Sequence, residues 1–389
     1  MQNSHVNRRN FIKLSAAAGA ALALNPTGAQ ATESVARQTK FQERVLGKTG
    51  IKVPILSMGV MRADNPAVVR AAYNSGILLF DTANGYQNGK NEELLGEFFT
   101  GKPRNSFVLA TKVKENDAAR FLEKFEVSMK RLKMDYVDIL YIHALSKPEE
   151  VTNASILELL LKLKKEGRAK YLGISTHSNE PGVINTMIDN GNYDVVLTSY
   201  NYSQTYKKEL DAAIDRAAKA GMGVVAMKTM AGGYLDRART KKVNVKAALK
   251  WSLSNPNIHT AIPGFTTFDE LEECVAAASD LELTLEEKEF LTAVASCKEG
   301  LYCQGCRSCV AQCTQNLPIP EMMRAYMYNY GYKSSLLAKE TIMELNLGDN
   351  PCGKCRSCNV KCTKGFHVAE NISDITRLKR IPDDFLAYA

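Results

Sequence analysis

Between about residues 44 and 295, short apolar runs alternate with longer stretches whose apolar positions recur every three or four residues. The first kind predicts buried strands, the second amphipathic helices packed on one face. The strands fall at Ile55–Met58, Ile77–Asp81, Phe107–Lys112, Val137–His143, Tyr171–Ser175, Val195–Tyr200, Gly223–Lys228 and Thr260–Pro263. The helices between them fall at Ala67–Ser75, Asn91–Thr100, Ala118–Leu132, Ala154–Glu166, Pro181–Asp189, Lys207–Ala220 and Asn244–Ser254. Eight strands spaced by helices at a regular pitch predict an eight-fold β/α (TIM) barrel, with a doubly wound open sheet as the alternative.

From about residue 296 the pattern changes. Apolar residues sit at helical spacing, and Pro320-Glu321-Met322-Met323 reads as a helix start with proline in its first turn. Helices are expected over 320–330 and 334–345. The chain therefore divides into a barrel over 44–295 and a small, mainly helical domain over 296–389, preceded by residues 1–31 and a linker over 32–43.

Composition adds little to the fold and something to the compartment. At 45% hydrophobic and 24% charged residues the chain reads as an ordinary globular protein. Its net charge of +8 is spread among acids, as in Lys162-Leu163-Lys164-Lys165-Glu166, which reads as a solvated helix face. No nucleic-acid partner is expected. No apolar stretch reaches the roughly 18 residues that a membrane span needs, and no transmembrane segment is expected apart from the leader. The first residues are that leader: Asn7-Arg8-Arg9-Asn10-Phe11-Ile12-Lys13, an Ala-rich stretch from Leu14 to Leu24, and a small-residue cleavage site at Ala29-Gln30-Ala31. Paired arginines followed by Phe, Ile and Lys resemble a twin-arginine export signal, which implies a periplasmic or otherwise exported protein, sent out folded. A Sec signal or a basic tail is the alternative.

Ten cysteines in an exported chain would ordinarily predict disulfides. Eight of them instead form two copies of C-x2-C-x2-C-x3-C: Cys303, Cys306, Cys309, Cys313, and Cys352, Cys355, Cys358, Cys362. Four thiolates in one such run point to a 4Fe–4S cluster. Zinc, the alternative, is usually bound by two separated pairs. The runs resemble those of two-cluster ferredoxins, where the fourth cysteine of each run serves the other cluster. That resemblance implies two clusters, one on Cys303, Cys306, Cys309 and Cys362, the other on Cys352, Cys355, Cys358 and Cys313. Thr314 and Thr363 stand where a proline usually follows the fourth cysteine. Cys274 and Cys297 lie outside both runs and read as structural or spare thiols.

Active sites of such barrels lie at the C-terminal ends of the strands. Asp81, Lys112 and His143 end the second, third and fourth strands, and Tyr86 follows in the loop Thr82-Ala83-Asn84-Gly85-Tyr86. In this order the four residues resemble the aldo-keto reductases over roughly residues 44–280. The resemblance implies a nicotinamide-dependent interconversion of a carbonyl and an alcohol on a small substrate. Tyr86 would be the acid/base, Lys112 would stabilise its phenolate, Asp81 would hold the lysine, and His143 would bond the substrate oxygen.

On the cofactor side, the resemblance gives Ser175 and Thr176 to the nicotinamide amide, with Thr176 replacing the usual Asn. Leu197 and Met227 stand where Gln and Tyr are common. Lys228 is in reach of a phosphate. Gly264, in Pro263-Gly264-Phe265-Thr266-Thr267, opens a phosphate loop in which the backbone can approach the pyrophosphate. Asp269 and Glu270 follow where basic residues usually clamp a 2′-phosphate, so NAD is at least as plausible as NADP. His177 faces the same mouth and is given no catalytic role.

Two functions follow. One is an exported oxidoreductase with clusters for electron transfer or structure. The other is an electron-transfer protein or redox subunit, with a redox partner protein, in which the barrel is mainly a docking scaffold.

Overall fold

The computed structural model of the protein describes residues 41–295 and 300–386, which belong to one compact unit. The export leader, residues 32–40 of the linker, and Cys297 lie outside the described residues.

A short antiparallel hairpin, β1 (Glu43–Val45) and β2 (Lys52–Pro54), opens the fold. The barrel strands follow: β3 (Met58–Gly59), β4 (Leu79–Asp81), β5 (Val108–Val113), β6 (Val137–Ile142), β7 (Ala169–Thr176), β8 (Val195–Ser199), β9 (Gly223–Met227) and β10 (Thr260–Ala261). They pair in parallel in the spatial order β3 to β10. A parallel bridge between Leu56 and Ala261 closes the ring. The seam is reinforced by Ser57 Oγ, 2.7 Å from Thr260 Oγ1. It also requires a glycine at 59, where a Cβ would stand 2.8 Å from the Ile262 carbonyl oxygen.

Helices cover the outside. In Ala118–Leu132, the Asp117 carboxylate caps the first turn by accepting from Arg120 N, and Phe121, Phe125, Met129 and Leu132 recur on the buried face. Similar helices run at Pro66–Asn74, Lys90–Phe99, Ala154–Lys165, Glu180–Asn190, Lys207–Lys219 and Val245–Ser254. The barrel expected from the hydrophobic alternation is thus the barrel that forms. The alternation does not announce the hairpin, whose Leu46 and Val53 plug the N-terminal end of the barrel against Val195 and Val225.

Strand periodicity sorts side chains between two cores. Leu79, Ala110, Ile139, Tyr141, Val195, Leu197 and Val225 fill the barrel interior. Their neighbours Phe80, Leu109, Leu140, Ile142, Val196 and Val224 face the helices.

The C-terminal region is helical, with Ile319–Tyr330, Ser335–Met343 and Val368–Thr376 and no strand among its described residues. Its core of Met322, Met323, Met327, Ala338, Ile342, Ile372 and Ile375 continues into Tyr202, Ala231 and Val243 of the barrel loops. A tail sharing its hydrophobic core with the barrel is held there by burial and not merely tethered.

Gly59→Ala forces the Ile262 carbonyl to give way at the seam. It should lower stability in urea unfolding by about 1–3 kcal/mol, whereas Gly101→Ala, where nothing lies within 4 Å, should cost less through its positive φ alone.

Candidate active site

The same alternation that fills the barrel builds its mouth. Asp81 follows Leu79 by two residues, Lys112 follows Ala110 and His143 follows Tyr141, so all three point inward at successive strand ends. Tyr86 arrives from a short 3-10 turn, Tyr86–Gly89, in which Gln87 and Asn88 take positive φ. The Gln87 side chain donates to the Met61 carbonyl at 3.1 Å and fixes the turn.

The Lys112 ammonium is the hub. It pairs with the Asp81 carboxylate, donates to the Thr82 carbonyl at 2.6 Å and reaches the Tyr86 hydroxyl at 3.3 Å. Lys112 is 1% exposed and Asp81 3%. Burial raises the Asp81 carboxyl and lowers the Lys112 ammonium, and each partner's charge opposes that shift. The Tyr86 ring meets the His143 ring edge-on, with centroids 5.7 Å apart. Burial, then the Asp81 charge, push the Tyr86 phenol well above its ordinary range, with Arg324 opposing. The phenol is therefore protonated at neutral pH. Burial, then Lys112 and the cations Lys114, Arg324 and Lys228, hold His143 well below the usual imidazole range, so its ring is neutral.

These groups open into a cavity of about 1010 Å³. Ser175, Lys228 and Gly264 also line it, as do Met227 and His177. Ser175 shares the inward parity of Gly173 on β7, and its hydroxyl accepts from Ala144 N at 2.8 Å. Thr176 has the outward parity. It is fully buried, donates to the Ser178 carbonyl at 3.2 Å and does not line the cavity. Lys228 would point outward by parity, but its φ of 55° breaks the strand and returns it to the mouth. Burial first, then Arg324, push its ammonium down to about 7. Gly264 lies against the seam, where a Cβ would stand 3.4 Å from the Gly59 carbonyl oxygen.

Part of the wall comes from the tail, which the sequence reading did not foresee. Arg324 and Tyr328, one turn apart on helix Ile319–Tyr330, and Tyr332 just beyond it line the same cavity. The one available signal was an arginine in an otherwise apolar helical run, Met322-Met323-Arg324-Ala325-Tyr326-Met327.

The cysteines gather beside this mouth. Cys303, Cys306, Cys309 and Cys362 line one narrow cleft. The Cys352 thiol is raised by burial and then by Cys358, Cys313 and Cys355, so those four are neighbours as well. Thr363 Oγ1 stands 3.6 Å from Cys306 Sγ, and Thr314 Oγ1 stands 3.7 Å from Cys355 Sγ, so each run closes on the other. Among the described residues no three His, Cys, Asp or Glu side chains converge on a single ion. Ligands of a four-iron cluster stand further apart than ligands of one metal, because the iron atoms lie between them. The Cys303 loop is seated on the barrel. Gln304 accepts from Thr205 N at 2.8 Å, Ser178 Oγ donates to the Gly305 carbonyl at 3.1 Å, and Gly305, with φ +71°, allows no Cβ, which would stand 2.5 Å from the His177 carbonyl oxygen.

A parallel barrel that holds a protonated phenol against a buried lysine–carboxylate pair is equipped to move a proton to or from a polar substrate, which places the protein among barrel enzymes. The comparisons with known proteins narrow the class. The profile of the Aldo/keto reductase family matches residues 56–247, so the chain carries a domain of that family of oxidoreductases. Among curated proteins it is similar to L-galactose dehydrogenase of Arabidopsis thaliana, 29% identical over 66% of this chain and 94% of that protein. It is also similar to D-threo-aldose 1-dehydrogenase of a Pseudomonas species, 24% identical over 51% of this chain and 73% of that one. The fold matches that of aldo-keto reductase AKR11C1 from Bacillus halodurans in its holo form, with TM-score 0.56 and 24% identity, over 66% of this chain and 97% of that one. A profile of the twin-arginine translocation signal matches residues 5–24, so the protein is exported by that route. No helix of the described residues is long and apolar enough to cross a membrane.

The buried ion pair makes a direct prediction. Lys112→Met leaves Asp81 uncompensated and should destabilise the barrel by about 3–5 kcal/mol. Asp81→Leu combined with Lys112→Met should recover most of that loss in denaturant unfolding, because no buried charge remains.

Proposed function

We propose that this exported enzyme interconverts the carbonyl and alcohol forms of a small hydroxylated substrate, with Tyr86 as proton donor and acceptor and a nicotinamide dinucleotide as the redox cofactor. The observation that carries the reading is the buried Asp81–Lys112–Tyr86 array facing His143 in one cavity. Two of the relatives are named for sugars, which favours a hydroxylated substrate.

A bound nicotinamide supplies or takes up the hydride. The chain's own groups manage the proton. Neutral His143 is suited to donate a hydrogen bond to the carbonyl oxygen and orient it toward Tyr86. Burial keeps the proton on Tyr86 until negative charge develops on that oxygen. Lys112, 3.3 Å away, then stabilises the phenolate left behind. Asp81 and the Thr82 carbonyl hold the ammonium in place. In the alcohol-oxidising direction the same phenolate takes the proton back.

The lining fits a dinucleotide: Ser175 for the amide, Lys228 for a phosphate and the Gly264 loop for the pyrophosphate. Thr176 would act from behind, steadying the β7 end through Ser178. The Glu270 carboxylate accepts from Thr266 N at 2.8 Å and so stands in that loop, where it would repel a 2′-phosphate. NAD is therefore the favoured form. The tail's donor set fits two 4Fe–4S clusters with crossed ligands, Cys303, Cys306, Cys309 and Cys362 beside the mouth, and Cys352, Cys355, Cys358 and Cys313 farther along the tail. Cys358 is the exposed ligand, so the second cluster is the one open to a redox partner protein. The intact array at the barrel mouth favours an enzyme over a barrel serving only as a scaffold.

Tyr86→Phe should lower carbonyl reduction by on the order of 10²–10⁴-fold while leaving dinucleotide affinity unchanged in fluorescence titration; full activity in the variant would sink the assignment. Crossed ligation makes a separate prediction for anaerobically purified protein. Cys362→Ser and Cys306→Ser should lose the same EPR signal, and Cys313→Ser and Cys355→Ser the other. Grouping by run instead would refute the crossing.

A further inference from the structure

The cations of the cavity are mostly answered by acids. Lys112 pairs with Asp81, Lys114 with Glu344, Lys124 with Glu115, Lys242 with Glu273 and Arg62 with Glu270. Arg239 lies instead over the Tyr234 ring, 4.3 Å from its centroid, and Arg324 has neither kind of partner among the described residues. Among the described residues no carboxylate lies within ion-pair distance of its guanidinium, whose nearest polar partner is the His177 ring, at 3.3 Å and 3.4 Å. That ring cannot neutralise it. The next cation, Lys228, whose ammonium is pushed down to about 7, feels the charges of Glu180, Cys303 and Glu321 but offers no anion to Arg324. A guanidinium left without a carboxylate partner in a partly buried space is costly to hold there.

We propose that Arg324 binds the carboxylate of the enzyme's carbonyl substrate, making that substrate a carboxylate-bearing carbonyl compound such as a sugar acid. The inference rests on the carbonyl-reducing reading above and names its substrate class. A guanidinium presents a planar fork that matches a carboxylate with two parallel hydrogen bonds. Its position suits the substrate better than the cofactor. Arg324 stands over the end of β7, three strands round the ring from β10 and its Gly264 loop. Its charge is felt by Tyr86 and His143, the groups that would meet the carbonyl. Tyr328, one turn on, extends the same wall, and stacks on Tyr332 with centroids 5.7 Å apart. The substrate would thus lie between the strand ends and the tail helix, its carbonyl at Tyr86 and its carboxylate at Arg324.

The test compares 4-carboxybenzaldehyde with 4-(hydroxymethyl)benzaldehyde on the full mature protein, purified anaerobically and supplied with reduced dinucleotide. Wild type should favour the acid in kcat/KM by roughly ten- to a hundredfold, the range of a hydrogen-bonded charge pair. Arg324→Met should collapse that ratio toward one through KM for the acid, and Arg324→Lys should restore part of it. No preference in wild type, or equal losses on both aldehydes in Arg324→Met, overturns the proposal. A weaker dinucleotide affinity in Arg324→Met also overturns it, by giving the guanidinium to a cofactor phosphate. If neither aldehyde is turned over, the carbonyl-reducing reading fails on its own, and calorimetric titration still decides the anion site. Benzoate binding to wild type but not to Arg324→Met supports it. Benzoate binding that is absent, or indifferent to the substitution, refutes it.

Discussion

A lysine and an aspartate taken wholly out of water at the barrel mouth are the interaction on which the rest of the site depends. Each alone would be expelled or neutralised, and together they persist only while their geometry is kept. Adjacent parallel strands keep it: β4 and β5 are hydrogen-bonded neighbours, and the pair closes across their ends. The rigidity of the ring, down to the glycine at its seam, is thus what allows an ammonium to stand close to a phenol without solvent to screen it. The phenol's protonation and the neutrality of His143 both follow from the same dry surroundings.

The barrel was legible because its strands are buried on both faces and its helices on one, which writes two different periods into the sequence. Asp81, Lys112 and His143 were legible for a related reason, since polar residues ending apolar strands stand out. Parity along a strand also separates Ser175 from Thr176, a distinction that motif order alone does not make. The hairpin plug and the tail's share of the pocket were not legible. Leu46, Val53, Arg324 and Tyr328 owe their roles to contacts between segments far apart in sequence, and local pattern holds no record of such contacts.

The tail is bound to the barrel in two ways that reinforce one another. Its methionine-rich core runs into the barrel loops, and the Cys303 loop is pinned by Gln304 and Gly305 to the ends of β7 and β8. The pinning brings one set of thiols against the loop that carries His177, and the Cys303 charge reaches Lys228. A cluster held there would share its surroundings with the pocket, so its charge and the pocket's electrostatics could not be set independently.

The helix that places Arg324 and Tyr328 over the mouth belongs to a different stretch of chain from the turn that holds Tyr86 and the strand that holds Lys112. The residues proposed to move the proton and those proposed to frame the far side of the substrate can therefore change separately in descent. Drift in the tail would alter what the enzyme accepts while leaving untouched the means by which it reacts. In a barrel without an appendage, that freedom rests with its own loops alone.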